Sequence, residues 1–188
     1  MIKKILIAAG AALVILIAVI ALRPGAFHIA RSAVIAARAP VVFAQVNDFQ
    51  RWRAWSPWED LDPNLQRTYS GAASGAGAVY AWSGNMEVGE GRMVLTESRT
   101  NELIRIRLEF LKPMAAVNLT EFAFSEKDGQ TTVTWNLAGT NNFVSKALGL
   151  MVDMDTMLGS QFEKGLARLK SAAESAAQAQ KGPAKEEK

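Results

Sequence analysis

The chain has 188 residues, which is enough for one domain with appended segments. It contains no cysteine and a single histidine, which excludes disulfides, thiolate metal sites and sites built from several histidines. Its formal net charge of +3 is not gathered into a basic run, so nucleic acid is not an expected partner.

A long apolar run opens the chain. Lys3 and Lys4 are followed by uncharged, apolar residues from Ile5 to Leu22. As a helix this run spans about 27 Å, close to the roughly 30 Å of a bilayer's hydrocarbon core. It ends in Arg23-Pro24-Gly25, which suits a helix stop better than a signal-peptide cleavage site. Residues 1–26 are therefore predicted to form an uncleaved, single-pass membrane anchor and a junction.

The basic residues around this run predict its orientation. Lys3 and Lys4 precede the run and Arg23 follows it, whereas Arg31 and Arg38 are assigned to the folded domain and are not counted. The positive-inside rule then keeps the N-terminus in the cytoplasm. The domain is expected on the outer, periplasmic side of the inner (cell) membrane, with a cytoplasmic domain as the alternative.

After the anchor, the sequence predicts one strand and two short helices. The strand covers Phe27–Ala39, where β-branched and small residues dominate. Pro40 can start a helix over Val41–Val46. Asp48 can cap a second helix, which carries two tryptophans and ends near Ser56, before the helix-breaking Pro57.

Six further strands follow, separated by turn residues. Their alternation is clearest where Ile104, Ile106 and Leu108 share a face opposite charged residues. This pattern is typical of an antiparallel sheet with one dry face, and Asp128-Gly129 predicts a tight hairpin between the last two strands. The predicted strands are Leu65–Ser70, Ala78–Ser83, Arg92–Ser98, Leu103–Leu111, Met114–Phe124 and Thr131–Ala138.

A long amphipathic helix is predicted from Asn142, its capping residue, to Lys170. At about 1.5 Å per residue it would run about 40 Å, a length that a curved sheet can cover. In the tail, residues 171–188, the first half can extend the helix but has no apolar stripe to bury, and the remainder is predicted to be disordered. The apolar stripe consists of Phe143, Ala147, Leu150, Met151, Met154, Met157, Leu158, Phe162, Leu166 and Leu169.

Tryptophan- and glycine-rich motifs give the chain a family resemblance. They are Trp52–Glu59, Gly75–Asn85, Val88–Gly91, Thr132–Trp135 and Gly159–Leu166. With these motifs, residues 27–170 resemble the polyketide cyclase/dehydrase-related branch of the START-like, Bet v 1-type helix-grip superfamily (SRPBCC). The resemblance implies an α+β helix-grip fold, in which a curved seven-stranded antiparallel sheet wraps a long C-terminal helix and two short helices follow strand 1. This superfamily includes lipid carriers, cyclases and hormone receptors.

Aromatic residues and methionines on the inward faces are the candidate ligand-binding residues. Such side chains suit a tolerant apolar pocket, because methionine repacks around different shapes, but they suit a filled core equally well. Trp52, Trp55 and Trp58 are better explained as a plug at the end of the sheet, while Asn118 and Thr120 are candidate polar groups. The predicted site is Trp55, Trp58, Tyr80, Trp82, Met93, Leu95, Ile106, Leu108, Phe122, Trp135, Met151, Met154 and Leu158.

These patterns favour a membrane-tethered domain that binds a hydrophobic or amphipathic small molecule or lipid between sheet and helix. No metal, cofactor or specific protein partner is predicted. One alternative is an enzyme of the cyclase or hydrolase kind, although no paired carboxylates are visible. Another is an interaction module with a fully packed core.

Overall fold

The computed structural model describes residues 1–151 and 153–181. Along the chain, an N-terminal helix comes first, the strands of a seven-stranded sheet follow, and two helices come last. The elements are α1 (Ile2–Leu22), β1 (Ala26–Ile35), α2 (Ala39–Asn47), two 3₁₀ turns (Phe49–Ala54 and Pro57–Asp60), β2 (Gln66–Gly71), β3 (Ala78–Ser83), β4 (Glu90–Arg99), β5 (Leu103–Lys112), β6 (Ala116–Lys127), β7 (Gln130–Thr140), α3 (Phe143–Leu148) and α4 (Met154–Lys181).

The seven strands form one antiparallel sheet in the order β1-β7-β6-β5-β4-β3-β2. Consecutive strands pair from β2 to β7, and β1 closes the order by pairing with β7. The predicted curved sheet and long C-terminal helix are confirmed. The predicted hairpin is also confirmed, since Asp128 and Gly129 have φ of 53° and 74°, as a type I′ turn requires.

The first strand and the helix after it meet at a different point from the one predicted. β1 ends at Ile35, its last residue paired with β7, rather than at Ala39. Ala39 already belongs to α2, because Pro40 in the first turn starts the helix there. The next element is a 3₁₀ turn rather than an α-helix, and the Asp48 carboxylate caps it by accepting a 2.9 Å hydrogen bond from Gln50 N.

The long helix predicted from Asn142 to Lys170 is interrupted near its start, and it continues to Lys181, as the predicted extension into the tail allows. Asn142 does cap a helix, accepting a hydrogen bond from Ser145 N, but α3 ends at Leu148. A new helix starts at Met154, where the Asp153 carboxylate accepts hydrogen bonds from Asp155 N and Thr156 N. The apolar period continues across this break, so periodicity alone does not reveal it.

The middle of α4 is the part that fills the core. Phe162, Leu166 and Leu169 are buried against the sheet and α2. Burial continues to Ala173, and Ala177 packs against the core, so the first half of the tail does present an apolar face to the core, contrary to the prediction. The disorder predicted at the end of the chain falls on residues 182–188, which lie outside the described residues.

Arg31 of β1 holds α4 to the sheet edge. Its guanidinium donates to the Asp155 and Glu163 carboxylates, each at 2.9 Å. Gly159 lies beneath it, and a Cβ there would come within 2.1 Å of the Arg31 Nη2 atom. Glycine at position 159 therefore leaves the space that the Arg31 side chain needs to reach both carboxylates.

Candidate functional site

A cavity of about 470 Å³ lies between one end of the sheet and the first turns of α4. Its floor is one row of paired residues that crosses four strands: Tyr80 pairs with Met93, Met93 with Leu108, and Leu108 with Asn118. The floor row therefore carries a phenol at one end, a carboxamide at the other, and two apolar side chains between them.

A second row, two residues further along each strand, lies in the packed core. In this row Leu95 pairs with Ile106 and Ile106 pairs with Thr120. Leu95 and Ile106 are fully buried and do not reach the cavity, whereas Thr120 lies at its edge. The boundary between cavity and core thus falls between two adjacent rows of one sheet face.

Aromatic side chains separate the cavity from the core. Trp135 stacks on Phe162 of α4 with ring centroids 4.2 Å apart, and Trp58 meets Trp135 edge-on at 5.7 Å. The Trp135 Nε1 atom is buried and has no hydrogen-bond partner among the described residues. This wall is therefore aromatic, and the indole N–H of Trp135 is buried in it.

The rim on the side of β3 depends on one glycine. The Trp82 indole lies across Gly91 of β4, where a Cβ would come within 2.5 Å of the ring. Trp82 Nε1 donates a 3.0 Å hydrogen bond to Val88 O, and the ring packs edge-on against Phe110 at 5.8 Å. The indole is held at the mouth by these three contacts.

Several uncharged polar groups line the cavity. Asn118, Thr120 and Ser56 are buried and line it, and Gly139 makes room for Asn118, whose Oδ1 would lie 2.1 Å from a Cβ at that glycine. Burial raises the pKa of the Tyr80 hydroxyl above its ordinary value, so it remains a hydrogen-bond donor at neutral pH.

Charged side chains lie in pairs or at the rim. Glu59 lines the cavity but accepts a 2.9 Å hydrogen bond from Arg67 Nε, and this bond raises the pKa of the Arg67 guanidinium. Lys112 is exposed at the mouth, where it forms a 2.7 Å ion pair with Glu90. Lys112 is the one cationic side chain among the described residues that line the cavity, and Arg67, which contacts the Tyr80 hydroxyl, is already paired with Glu59.

The structure brings together most of the predicted site residues. Those that line the cavity are Trp58, Tyr80, Trp82, Met93, Leu108, Trp135, Met154 and Leu158. Their contact with a ligand stays a prediction. Lining residues that are not in the predicted site include Phe27, Met114, Met157 and Phe162. Phe110 also lines the cavity, and it could have been predicted, because it shares the inward face of its strand with Leu108.

Five predicted site residues lie elsewhere. Trp55, Leu95, Ile106 and Phe122 are fully buried in the core, where packing against α2, the 3₁₀ turns and α4 leaves no space beside them. Trp55 donates to Gln45 O at 3.1 Å, as expected of a plug. Met151 is 87% exposed and does not line the cavity, because α3 ends before it and α4 begins after it.

The chain is similar to several solved structures. The protein of unknown function SA2116 from Staphylococcus aureus is 9% identical, with a TM-score of 0.61 over 84% of this chain and 99% of that chain. The Aha1 dimer from Colwellia psychrerythraea is 16% identical, with a TM-score of 0.57 over 79% of this chain and 96% of that chain. The di-domain ARO/CYC BexL from the BE-7585A biosynthetic pathway is 16% identical, with a TM-score of 0.56 over 84% of this chain and 52% of that chain.

These structural similarities, all at low identity, show a shared fold. A search of curated protein sequences finds no match to this chain. A family model described as polyketide cyclase/dehydrase and lipid transport matches residues 26–174, which include the whole sheet, the cavity and most of α4. The chain therefore belongs to the polyketide cyclase/dehydrase and lipid transport family.

Proposed function

We propose that the domain binds a hydrophobic or amphipathic small molecule in the cavity, and that α1 tethers it to a membrane. The observation that carries the proposal is the 470 Å³ cavity, whose walls are mostly aromatic and aliphatic. A cavity of this size with a few polar groups is typical of small-molecule sites. It also argues against the alternative of an interaction module with a fully packed core.

The floor row points to a ligand with uncharged polar groups. Tyr80 and Asn118 are three strand spacings apart, about 14 Å at 4.8 Å per strand. A ligand that reaches both carries a hydroxyl, carbonyl or amide near each end and an apolar middle. A carboxylate placed beside Tyr80 would lose its hydration, and the nearby Arg67 guanidinium is already paired with Glu59, so burying that carboxylate is costly.

A cyclase-like enzyme is the second candidate. The observation that favours it is the Tyr80 hydroxyl, which is buried at the end of the floor row and has a raised pKa. A phenol in such a place can position a carbonyl oxygen by hydrogen bonding without transferring a proton. The binding function needs no reacting group, so it remains the first candidate.

Filling the cavity is expected to abolish ligand binding and to preserve the fold. Leu108→Trp places an indole over the floor row, next to open space. Binding of the uncharged dye Nile red to a variant lacking residues 1–22 should be saturable, and uncharged lipids should compete for it. We expect Leu108→Trp to weaken this binding at least tenfold, while the midpoint of thermal unfolding stays within a few degrees of the wild type.

Ile106→Trp is the matched control, on the same strand and the same face but in the packed row. Overpacking there should lower the free energy of unfolding by about 1–3 kcal/mol. The folded fraction should still bind Nile red. If the parent domain binds no dye saturably, or if both variants bind equally well, the cavity is not the binding site.

The tether is proposed from α1, a 21-residue apolar helix of which Ile20 is the buried residue. The full-length protein should remain in the membrane fraction after an alkaline carbonate wash, because extraction of a spanning helix exposes its apolar surface to water. A protease added outside spheroplasts should digest the domain, as expected for a periplasmic orientation. Release by the wash would refute the tether, and full protection from the protease would refute the orientation.

A further inference from the structure

A group of exposed apolar side chains lies beside the mouth of the cavity. We call it the docking surface, and it consists of Phe143, Val144, Leu148, Leu150 and Met151. Each of the first four is about half exposed, and Met151 is almost fully exposed. Five such residues within nine positions of α3 and the segment after it are unusual for a surface that faces water.

The docking surface lies next to the end of α1. α1 packs against α3, and Lys146 Nζ donates a 3.2 Å hydrogen bond to Ala21 O in the last turn of α1. The Arg23 guanidinium approaches Gly149, which follows α3. If α1 spans a bilayer, its last turn lies at the membrane interface, and α3 lies there with it.

The charges around the docking surface suit a lipid headgroup region. Arg23 and Lys146 lie between α1 and α3, where cations favour anionic headgroups. The nearby carboxylates are already engaged, since Asp155 pairs with Arg31, and Asp153 accepts hydrogen bonds from Thr156. The surface thus combines apolar side chains with basic residues, as interfacial segments do.

The docking surface and the cavity mouth share one boundary. Asn141, Ser145 and Met154 line the cavity and also the cleft that contains Arg23 and Gly149. On the other side of the mouth, Met114 is exposed in the turn before β6. A bilayer that covers α3 therefore also covers the opening.

We propose that the docking surface inserts into the interfacial layer of the same bilayer that holds α1, so that the cavity opens directly onto lipid. The ligand then passes between membrane and cavity without crossing water. This inference rests on the proposed tether and on the proposed ligand cavity. The occupant of the surface is a lipid bilayer with anionic headgroups, and a second protein is excluded by the test below.

The chain has no cysteine, so one introduced cysteine is the only labelling site. Met151→Cys carries an environment-sensitive fluorophore in the full-length protein, reconstituted in vesicles that contain anionic lipid. Lipids with a nitroxide on the acyl chain should quench this label strongly. Two controls use exposed residues: Ser160→Cys on α4, nine residues after Met151, and Lys127→Cys at the far end of β6, about 35 Å from its start.

We expect strong quenching at 151 and little at 160 or 127. Equal quenching at 151 and 160, in protein that resists the carbonate wash, would overturn the docking of this surface and leave the tether standing. Release of the protein by the wash would overturn both. Quenching at 151 without saturable Nile red binding would leave the docking in place and refute the ligand cavity.

A second measurement tests the path of the ligand. Leu150→Glu adds a charge to the docking surface and leaves the cavity lining intact. Transfer of an uncharged fluorescent lipid from vesicles to the protein should slow at least tenfold, while its equilibrium affinity in detergent stays the same. Equal transfer rates for the variant and the parent would show that the ligand does not enter through this side.

Discussion

Leu169→Asp should unfold the domain at temperatures at which Met154→Asp remains folded, although both residues lie on the same apolar stripe of the sequence. Leu169 is fully buried, and an unpaired carboxylate there costs several kcal/mol or is forced into its protonated form. Met154 is 37% exposed at the cavity mouth, so its replacement should cost less than about 1 kcal/mol.

Urea unfolding of the two variants, followed by circular dichroism, measures this difference. Met154→Asp should also weaken Nile red binding, because it places a charge in an apolar lining. The comparison separates the middle of α4, which is packed in the core, from its first turn, which borders the cavity. Equal losses of stability would mean that the first turns of α4 are packed as tightly as the last.

Trp135→Ala should lower the free energy of unfolding by about 3–5 kcal/mol, the range for a buried tryptophan. The indole is 2% exposed and packs against Trp52, Trp55, Trp58, Phe122 and Phe162. Removing it opens the wall between core and cavity, so the variant should also bind larger ligands. Chemical denaturation together with Nile red titration measures both effects.

The matched pair for this residue is Trp135→Phe and Trp55→Phe. Trp135 Nε1 has no acceptor among the described residues, whereas Trp55 Nε1 donates to Gln45 O. The first change therefore removes an unsatisfied donor, which offsets part of the lost packing, while the second breaks a hydrogen bond worth about 1 kcal/mol. A larger loss for Trp135→Phe than for Trp55→Phe would mean that the Trp135 indole N–H has a partner.

The inward faces of the strands could be predicted from the sequence, but the location of the cavity could not. Alternation places Leu108 and Ile106 on one face of β5 and gives no sign that the first borders open space and the second does not. That difference arises from how far α2, the 3₁₀ turns and α4 extend over the sheet. It depends on contacts between residues far apart in the chain.

The apolar stripe of the C-terminal region shows the same limit. One period runs from Phe143 to Leu169, yet Leu169 lies in the core, Leu158 borders the cavity and Met151 is exposed. Hydrophobic periodicity records that a residue avoids water and does not identify its neighbour. Periodicity does not reveal the break between α3 and α4, because the segment from Gly149 to Asp153 interrupts the helix and leaves the apolar period intact.

The ion pairs between Arg31 and α4 affect the range of ligand sizes that the cavity can accept. Arg31 does not line the cavity, but it forms an ion pair with Asp155, which is the residue next to Met154 at the mouth. The position of the first turn of α4 beside the cavity therefore depends in part on an edge strand that does not line the cavity. A larger residue at position 159 would displace the Arg31 guanidinium and allow the first turns of α4 to shift. The size of the ligand that the cavity accepts could then change during evolution, although the residues that line the cavity stay the same.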